Sequence, residues 1–172
     1  ESDLILAALE EAGVTIVDFG DVADCYIINS CAVTEEAEHK TRQYIRRAVR
    51  QNPQGFVLLV GCYAKLWGDG KDASFQDRLM VLPEAKEEAI RQFFATRFGI
   101  RLPIPSSPRP LRARAWVKVE EGCDHFCSFC IVPYLRGGVR SRRFGDILKE
   151  VHHLIEQGIR EVVLCGINLG YF

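Results

Sequence analysis

The stretch Gly122-Cys123-Asp124-His125-Phe126-Cys127-Ser128-Phe129-Cys130 follows closely on the apolar run Ala115 to Val119. Its three cysteines are spaced C-x3-C-x2-C. A short loop with thiolates at this spacing can wrap three corners of a 4Fe-4S cube. Electron-transfer clusters are held by four cysteines. Three leave one iron open to an external molecule, as a catalytic zinc site keeps one position open. A C-x2-C pair also serves as a zinc site or a redox dithiol. Zinc needs a fourth ligand nearby, and His125, between the first two cysteines, is poorly placed for it. Cys165, His152 and His153 are the other partners to weigh, but the histidine pair lies in a helical pattern with no spacing tie to the loop.

Working outward, Arg114 to Val119 reads as a strand with the cysteine loop at its carboxyl end. Asp146 to Glu156 carries Ile147, Leu148, Val151, Leu154 and Ile155 at helical spacing and ends at Gly158. Glu161 to Cys165 is the next strand, and Gly166 to Tyr171 its outgoing loop. Strand, loop, helix and strand make one β/α unit, consistent with the start of a barrel whose site lies at the strands' carboxyl ends. Cys165 is expected to pack at its strand end. Upstream, Pro103, Pro105, Pro108 and Pro110 with Ser106 and Ser107 make a stiff, extended linker.

The first part of the chain alternates elements. Leu4 to Ala12 has helical spacing closed by Gly13, and Val14 to Phe19 reads as a strand. Cys25 to Ile28 is a buried strand, with Cys25 expected to pack in the core as a small apolar side chain. Thr34 caps the next helix, whose inward stripe is Ala37, Thr41, Tyr44, Ile45, Ala48 and Val49. Arg46, Arg47 and Arg50 load the end where the dipole favours cations, and Asn52-Pro53 stops it. Phe56 to Val60 is another buried strand. Residues 65–83 are turn-rich around Gly68 to Asp72, with a short strand near Arg78 to Leu82, and Pro83 to Phe98 returns to a helical pattern. This alternation predicts a parallel sheet. Cys31 and Cys62 each lie just beyond the carboxyl end of a strand, the edge where open α/β sheets bind ligands. A second sulfur site there and two unrelated thiols are both open.

Composition sets the frame. The chain has 172 residues, 48% apolar, and no run long enough for a membrane span. Seven cysteines, an odd number, fit metal or thiol chemistry in a reducing compartment better than a disulfide framework. The net charge is −1, but residues 1–39 carry ten acidic side chains and no Lys or Arg, while residues 91–143 carry eleven basic against three acidic. A basic belt around the cysteine loop suits a polyanion such as RNA, and equally a solvated loop and linker.

The three-cysteine loop with Phe129 before its last cysteine resembles the cluster loop of radical S-adenosylmethionine enzymes. The longer run Glu121-Gly122-Cys123 through Cys130-Ile131-Val132-Pro133-Tyr134-Leu135-Arg136-Gly137, then Arg140-Ser141-Arg142, resembles the methylthiotransferases. Asn29-Ser30-Cys31-Ala32-Val33-Thr34 and Gly61-Cys62-Tyr63-Ala64 resemble two of the three cysteine motifs of that family's amino-terminal domain. Cys31 to Thr34 and the run Arg42 to Pro53 look most like the branch acting on N6-threonylcarbamoyladenosine in tRNA.

The resemblance implies an α/β protein truncated at both ends. Residues 1–100 would be a parallel α/β amino-terminal domain, 101–112 a linker, and 113–172 the first strands of a radical S-adenosylmethionine partial barrel. It implies two 4Fe-4S clusters, one on Cys123, Cys127 and Cys130 and an auxiliary one on Cys31 and Cys62 with a third cysteine upstream. S-adenosylmethionine is the implied cofactor, chelated at the open iron with Phe129 beside it or anchoring the loop, and a second molecule gives the methyl group. Arg46, Arg47, Arg50, Arg140 and Arg142 are candidate RNA contacts. The partners implied are tRNA and a reductant protein such as a flavodoxin or ferredoxin, in the cytoplasm. Rival readings are isopentenyladenosine or a ribosomal-protein aspartate as substrate and, from another class, a non-catalytic two-cluster electron carrier.

Overall fold

The computed structural model of the chain describes residues 2–67, 78–83, 86–104 and 114–172. They form two compact units. Ala12–Leu102 is one, and Pro103–Phe172 together with Glu1–Glu11 is the other. The first helix, α1 (Ser2–Glu11), thus groups with the carboxy-terminal unit, although it lies within the residues 1–100 of the expected amino-terminal domain. Most of the expected linker, and the turn-rich stretch from Gly68 to Asp72, fall outside the described residues.

The first unit is built on a parallel sheet in the order β1 (Cys25–Ser30), β2 (Phe56–Gly61), β3 (Leu79–Leu82). The central strand β2 is buried from Val57 to Gly61 without alternation, as expected when both faces of a parallel strand are covered. Helix α2 (Glu35–Gln51) packs on β1 and β2, burying Thr41, Ile45 and Ala48 at helical spacing. Thr34 caps it, the side-chain oxygen accepting the Ala37 amide at 3.1 Å. The opposite end closes at Asn52, whose N–H donates to the Ala48 carbonyl. The short α3 (Cys62–Trp67) leaves β2 directly and packs on β2 and β3. On α4 (Lys86–Phe98), Phe93 and Phe98 meet the Phe56 ring edge-on at 5.4 and 5.9 Å.

One expected strand is not formed. Val14 to Phe19 pairs with none of the described strands and leaves Ile16 and Val17 exposed. Its apolar residues satisfy a local pattern, but a strand exists only when a neighbour completes its ladder. The segment is instead fastened through Phe19, whose ring packs edge-on against Tyr26 and Tyr44 at 5.6 and 5.1 Å.

In the second unit β4 (Arg114–Lys118) pairs in parallel with β7 (Glu161–Cys165). Between them the chain forms β5 (Glu120–Glu121), the one-turn helix α5 (Val132–Arg136), β6 (Arg140–Ser141) and α6 (Phe144–Glu156). β5 and β6 pair antiparallel, closing the base of the cysteine loop. Val117 and Val119 pack with Ile147 and Leu154 of α6 and with Ile159, flanked by Ala115, Val151 and Val162. The chain turns from α6 toward β7 at Gly158, with φ 87°, a left-handed position that glycine fills without a Cβ clash.

Candidate functional site

The cysteine loop leaves the carboxyl end of β4 and is seated by backbone. The Cys123 N–H donates to the Gly137 carbonyl at 3.0 Å. Gly122 has φ 89° and lies so close to Gly137 and Gly138 that a Cβ there would stand 2.7 Å from the Gly137 oxygen. Asp124 completes the seat, its Oδ2 accepting the Val139 amide at 3.3 Å while Oδ1 fills the space over Gly138. The glycine pair therefore serves close packing of the loop onto its own exit. At the far end the Cys130 N–H donates to the Cys127 carbonyl at 2.9 Å, and Pro133 at the start of α5 stops the loop from extending. Phe126 holds φ 44°, the only non-glycine residue with a positive φ among the described residues, and packs edge-on against Tyr134 at 5.5 Å. That is local backbone strain at the centre of the loop.

The donor set decides what the loop can hold. Cys127 is exposed, and Cys123 and Cys130 are half-buried. Soft thiolate donors suit iron–sulfur clusters. His125 bonds through Nε2 to the Tyr171 hydroxyl at 2.5 Å, an interaction that occupies the one histidine of the loop. Among the described residues no group of three or more His, Cys, Asp or Glu side chains converges closely enough to hold a single ion. Three soft thiols from one short loop match the donor chemistry of a 4Fe-4S cluster. Phe129 is 90% exposed, so it does not anchor the loop in the core.

Two further cysteines sit at the carboxyl edge of the first unit's sheet. Ser30 and Gly61 are register partners at the ends of β1 and β2, so Cys31 and Cys62 follow on adjacent chains. The buried Ser30 hydroxyl locks that edge by donating to the Val60 carbonyl at 2.5 Å. Gly61 has φ 95°, and a Cβ there would strike the Ser30 carbonyl and stand 2.8 Å from Asn29 Oδ1. Cys31 Sγ accepts the Val33 amide at 3.5 Å just before α2. Cys31 is exposed and Cys62 half-buried. They form a partial donor set of two soft sulfurs, which fits one side of a second cluster. Cys25, at the opposite end of β1, differs in kind. Burial, aided by the neighbouring Asp24 charge, pushes its thiol up to about 12, so it stays protonated and packs. Cys165 is half-buried at the end of β7.

The arginines divide by what already holds them. Arg47 lies over the Phe19 ring at 5.7 Å. Arg142 is a brace, donating to the Lys118 carbonyl at 2.8 Å and pairing with Glu150 at 2.6 Å. Arg46 and Arg50 are exposed on α2, and Arg140 is exposed beside the loop, its guanidinium donating to the Arg136 carbonyl at 3.1 Å. The exposed three can meet phosphate at no cost to the fold. Arg142 cannot.

Sequence reasoning missed Glu120, which is 1% exposed. Its Oε2 accepts the Asn168 amide at 2.8 Å, while Oε1 is buried without a hydrogen-bond partner. Nothing in the local pattern distinguishes it from its neighbour.

Comparison with known proteins bears on both cysteine groups. Residues 1–81 match the family described as "Uncharacterized protein family UPF0004". The chain is 37% identical to the threonylcarbamoyladenosine tRNA methylthiotransferase MtaB of Bacillus subtilis, over 99% of this chain and 41% of that protein. It is 40% identical to the MtaB of Chlamydia pneumoniae, over 90% of this chain and 37% of that protein. A tRNA-2-methylthio-N(6)-dimethylallyladenosine synthase of Nitratidesulfovibrio vulgaris is 33% identical, over 100% of this chain and 42% of its own length. The chain thus spans about two fifths of these curated relatives. Both cysteine groups lie within the span that is similar to these tRNA-modifying relatives.

Proposed function

We propose that the chain is part of a radical S-adenosylmethionine methylthiotransferase that modifies N6-threonylcarbamoyladenosine in tRNA at carbon 2. The observation that carries the reading is the pairing of two cysteine groups, each at the carboxyl end of parallel strands, on two separate compact units. Cys123, Cys127 and Cys130 would hold a 4Fe-4S cluster, and β4 and β7 would begin a β/α partial barrel around it. Cys31 and Cys62 would hold the auxiliary cluster together with a third ligand. A cluster held by Cys123, Cys127 and Cys130 would supply the electron for reductive cleavage of S-adenosylmethionine.

The chain's own residues do the rest. The Gly122–Gly138 seat fixes the loop that carries the three thiols. Three ligands rather than four leave one position for an amino-acid cofactor, which an electron carrier has no use for. Exposed Phe129 is available to pack beside that cofactor. Arg46, Arg50 and Arg140 offer phosphate contacts, which position an RNA without specifying its base. The choice of threonylcarbamoyladenosine follows the names of the relatives in Bacillus subtilis and Chlamydia pneumoniae. The partners of the intact protein in this reading are tRNA and a reducing flavodoxin or ferredoxin, in the cytoplasm. No described helix is long and apolar enough to cross a membrane.

Expression of the intact protein in a host lacking its own enzyme, followed by mass analysis of tRNA nucleosides, tests the substrate. The expected result is a methylthio group on threonylcarbamoyladenosine. A mark on isopentenyladenosine alone would move the assignment to the branch that the relative from Nitratidesulfovibrio vulgaris names.

A further inference from the structure

Two loops leave the adjacent parallel strands β4 and β7 on the same edge, and the second, Gly166 to Phe172, is fastened to the first at two points. The inner tether is Glu120, whose Oε2 accepts the Asn168 amide at 2.8 Å. Gly166 lies against the same carboxylate, where a Cβ would stand 2.8 Å from Oε2 and 3.0 Å from the Glu120 Cβ. The outer tether is the 2.5 Å contact between the Tyr171 hydroxyl and His125 Nε2, the rings tilted by 43° with centroids 5.3 Å apart. Between the tethers the segment holds its own shape. Asn168 Oδ1 accepts the Gly170 amide at 3.2 Å, and the Tyr171 amide donates to the Asn168 carbonyl at 3.0 Å.

Glu120 is a costly way to make the inner tether. One oxygen is buried with no hydrogen-bond partner, and an apolar side chain of similar shape would avoid that desolvation. A buried acid that weakens the fold but fixes one particular backbone amide is explained by what that amide's loop must do. The loop stands beside the three-cysteine loop and is joined to His125, which lies between two of the expected cluster ligands.

We infer that Glu120 and the His125–Tyr171 pair are positioning residues, which hold Gly166–Phe172 as a rigid wall beside the cysteine loop so that S-adenosylmethionine binds in one orientation. This rests on the radical S-adenosylmethionine reading above. Neither Glu120 nor Tyr171 needs to touch the cofactor. Glu120 acts through the Asn168 backbone, and Tyr171 through the cysteine loop.

The test uses the intact protein with three substitutions: Glu120→Met, which keeps bulk but removes the acceptor, Glu120→Gln, which restores an acceptor, and Tyr171→Phe. Amide hydrogen exchange in cluster-free protein reads the inner tether directly, and the Asn168 amide is expected to exchange about tenfold faster in Glu120→Met and near the wild-type rate in Glu120→Gln. In reconstituted protein, equilibrium dialysis with labelled S-adenosylmethionine is expected to show Kd raised about tenfold or more in Glu120→Met and rescued in Glu120→Gln, at unchanged iron content. Tyr171→Phe, a surface change that leaves folding intact even if Glu120→Met does not, is expected to raise Kd about threefold. Wild-type Kd in Glu120→Met and Tyr171→Phe, or no rescue by Gln, would overturn the inference while leaving the functional reading standing. A wild-type protein that binds no S-adenosylmethionine would overturn both.

Discussion

Ser30 and Gly61 are register partners at the carboxyl ends of two adjacent parallel strands, so the next residue on each chain is a cysteine at the same sheet edge. Thirty-one positions separate Cys31 from Cys62 in sequence, yet parallel topology makes them neighbours by construction. The close approach of the two chains depends on the missing side chain of Gly61.

Gly61→Ala is therefore expected to cost about 3 kcal/mol, combining left-handed strain with a backbone clash. Gly13 makes the control, since it has φ 77° but nothing within 4 Å of an added Cβ. Gly13→Ala should cost only about 1 kcal/mol. Chemical denaturation of the two variants reads the difference, and equal losses would mean that the approach of Ser30 to Gly61 is not tight.

Thiol chemistry should sort the cysteines by environment. With its thiol raised to about 12, Cys25 holds roughly a few ten-thousandths of its population as thiolate near pH 8.5. Exposed Cys31 and Cys127 should be alkylated far faster by iodoacetamide in cluster-free protein, as read by mass mapping. The sign for stability follows from the same shift. Folding holds the Cys25 proton more tightly than the unfolded chain does, so this contribution is full below pH 9 and falls as pH rises toward 12. Rapid labelling of half-buried Cys25 would contradict its raised thiol.

The two cysteine groups should separate by function. Cys127→Ala is expected to abolish reductive cleavage of S-adenosylmethionine in the reconstituted protein. Cys62→Ala should retain much of that cleavage and lose methylthio transfer. Equal loss of cleavage in both variants would argue against two independent centres.

The arginines should separate as well. Arg142→Ala breaks the Glu150 pair and the Lys118 carbonyl bond, and is expected to destabilise by about 1–3 kcal/mol. Arg140→Ala and Arg50→Ala should leave stability within about 0.5 kcal/mol. Each should instead weaken tRNA binding uniformly across sequences and lower the salt slope by about one. A stable Arg142→Ala with weakened tRNA binding would return that residue to the RNA face.

What was legible in the sequence is what local chemistry specifies. Thr34 as a cap, Asn52 as a stop, the buried run of β2 and the thiol spacing each state their structure within a few residues. Val14 to Phe19 was misread because its pattern is local, whereas a ladder needs a partner elsewhere. The brace formed by Arg142 and the burial of Glu120 were invisible for the same reason. Lys118, Glu150 and Asn168 reach those side chains through tertiary structure, and no spacing along the chain announces such meetings.

The open position on the cluster of Cys123, Cys127 and Cys130 is the claim on which the functional account stands. Electron spin resonance of the anaerobically reconstituted, reduced intact protein, recorded before and after adding S-adenosylmethionine, tests it most directly. The account predicts a cluster signal that changes on addition and is missing in Cys127→Ala. A cluster signal from these cysteines that is indifferent to S-adenosylmethionine would contradict it and favour an electron carrier.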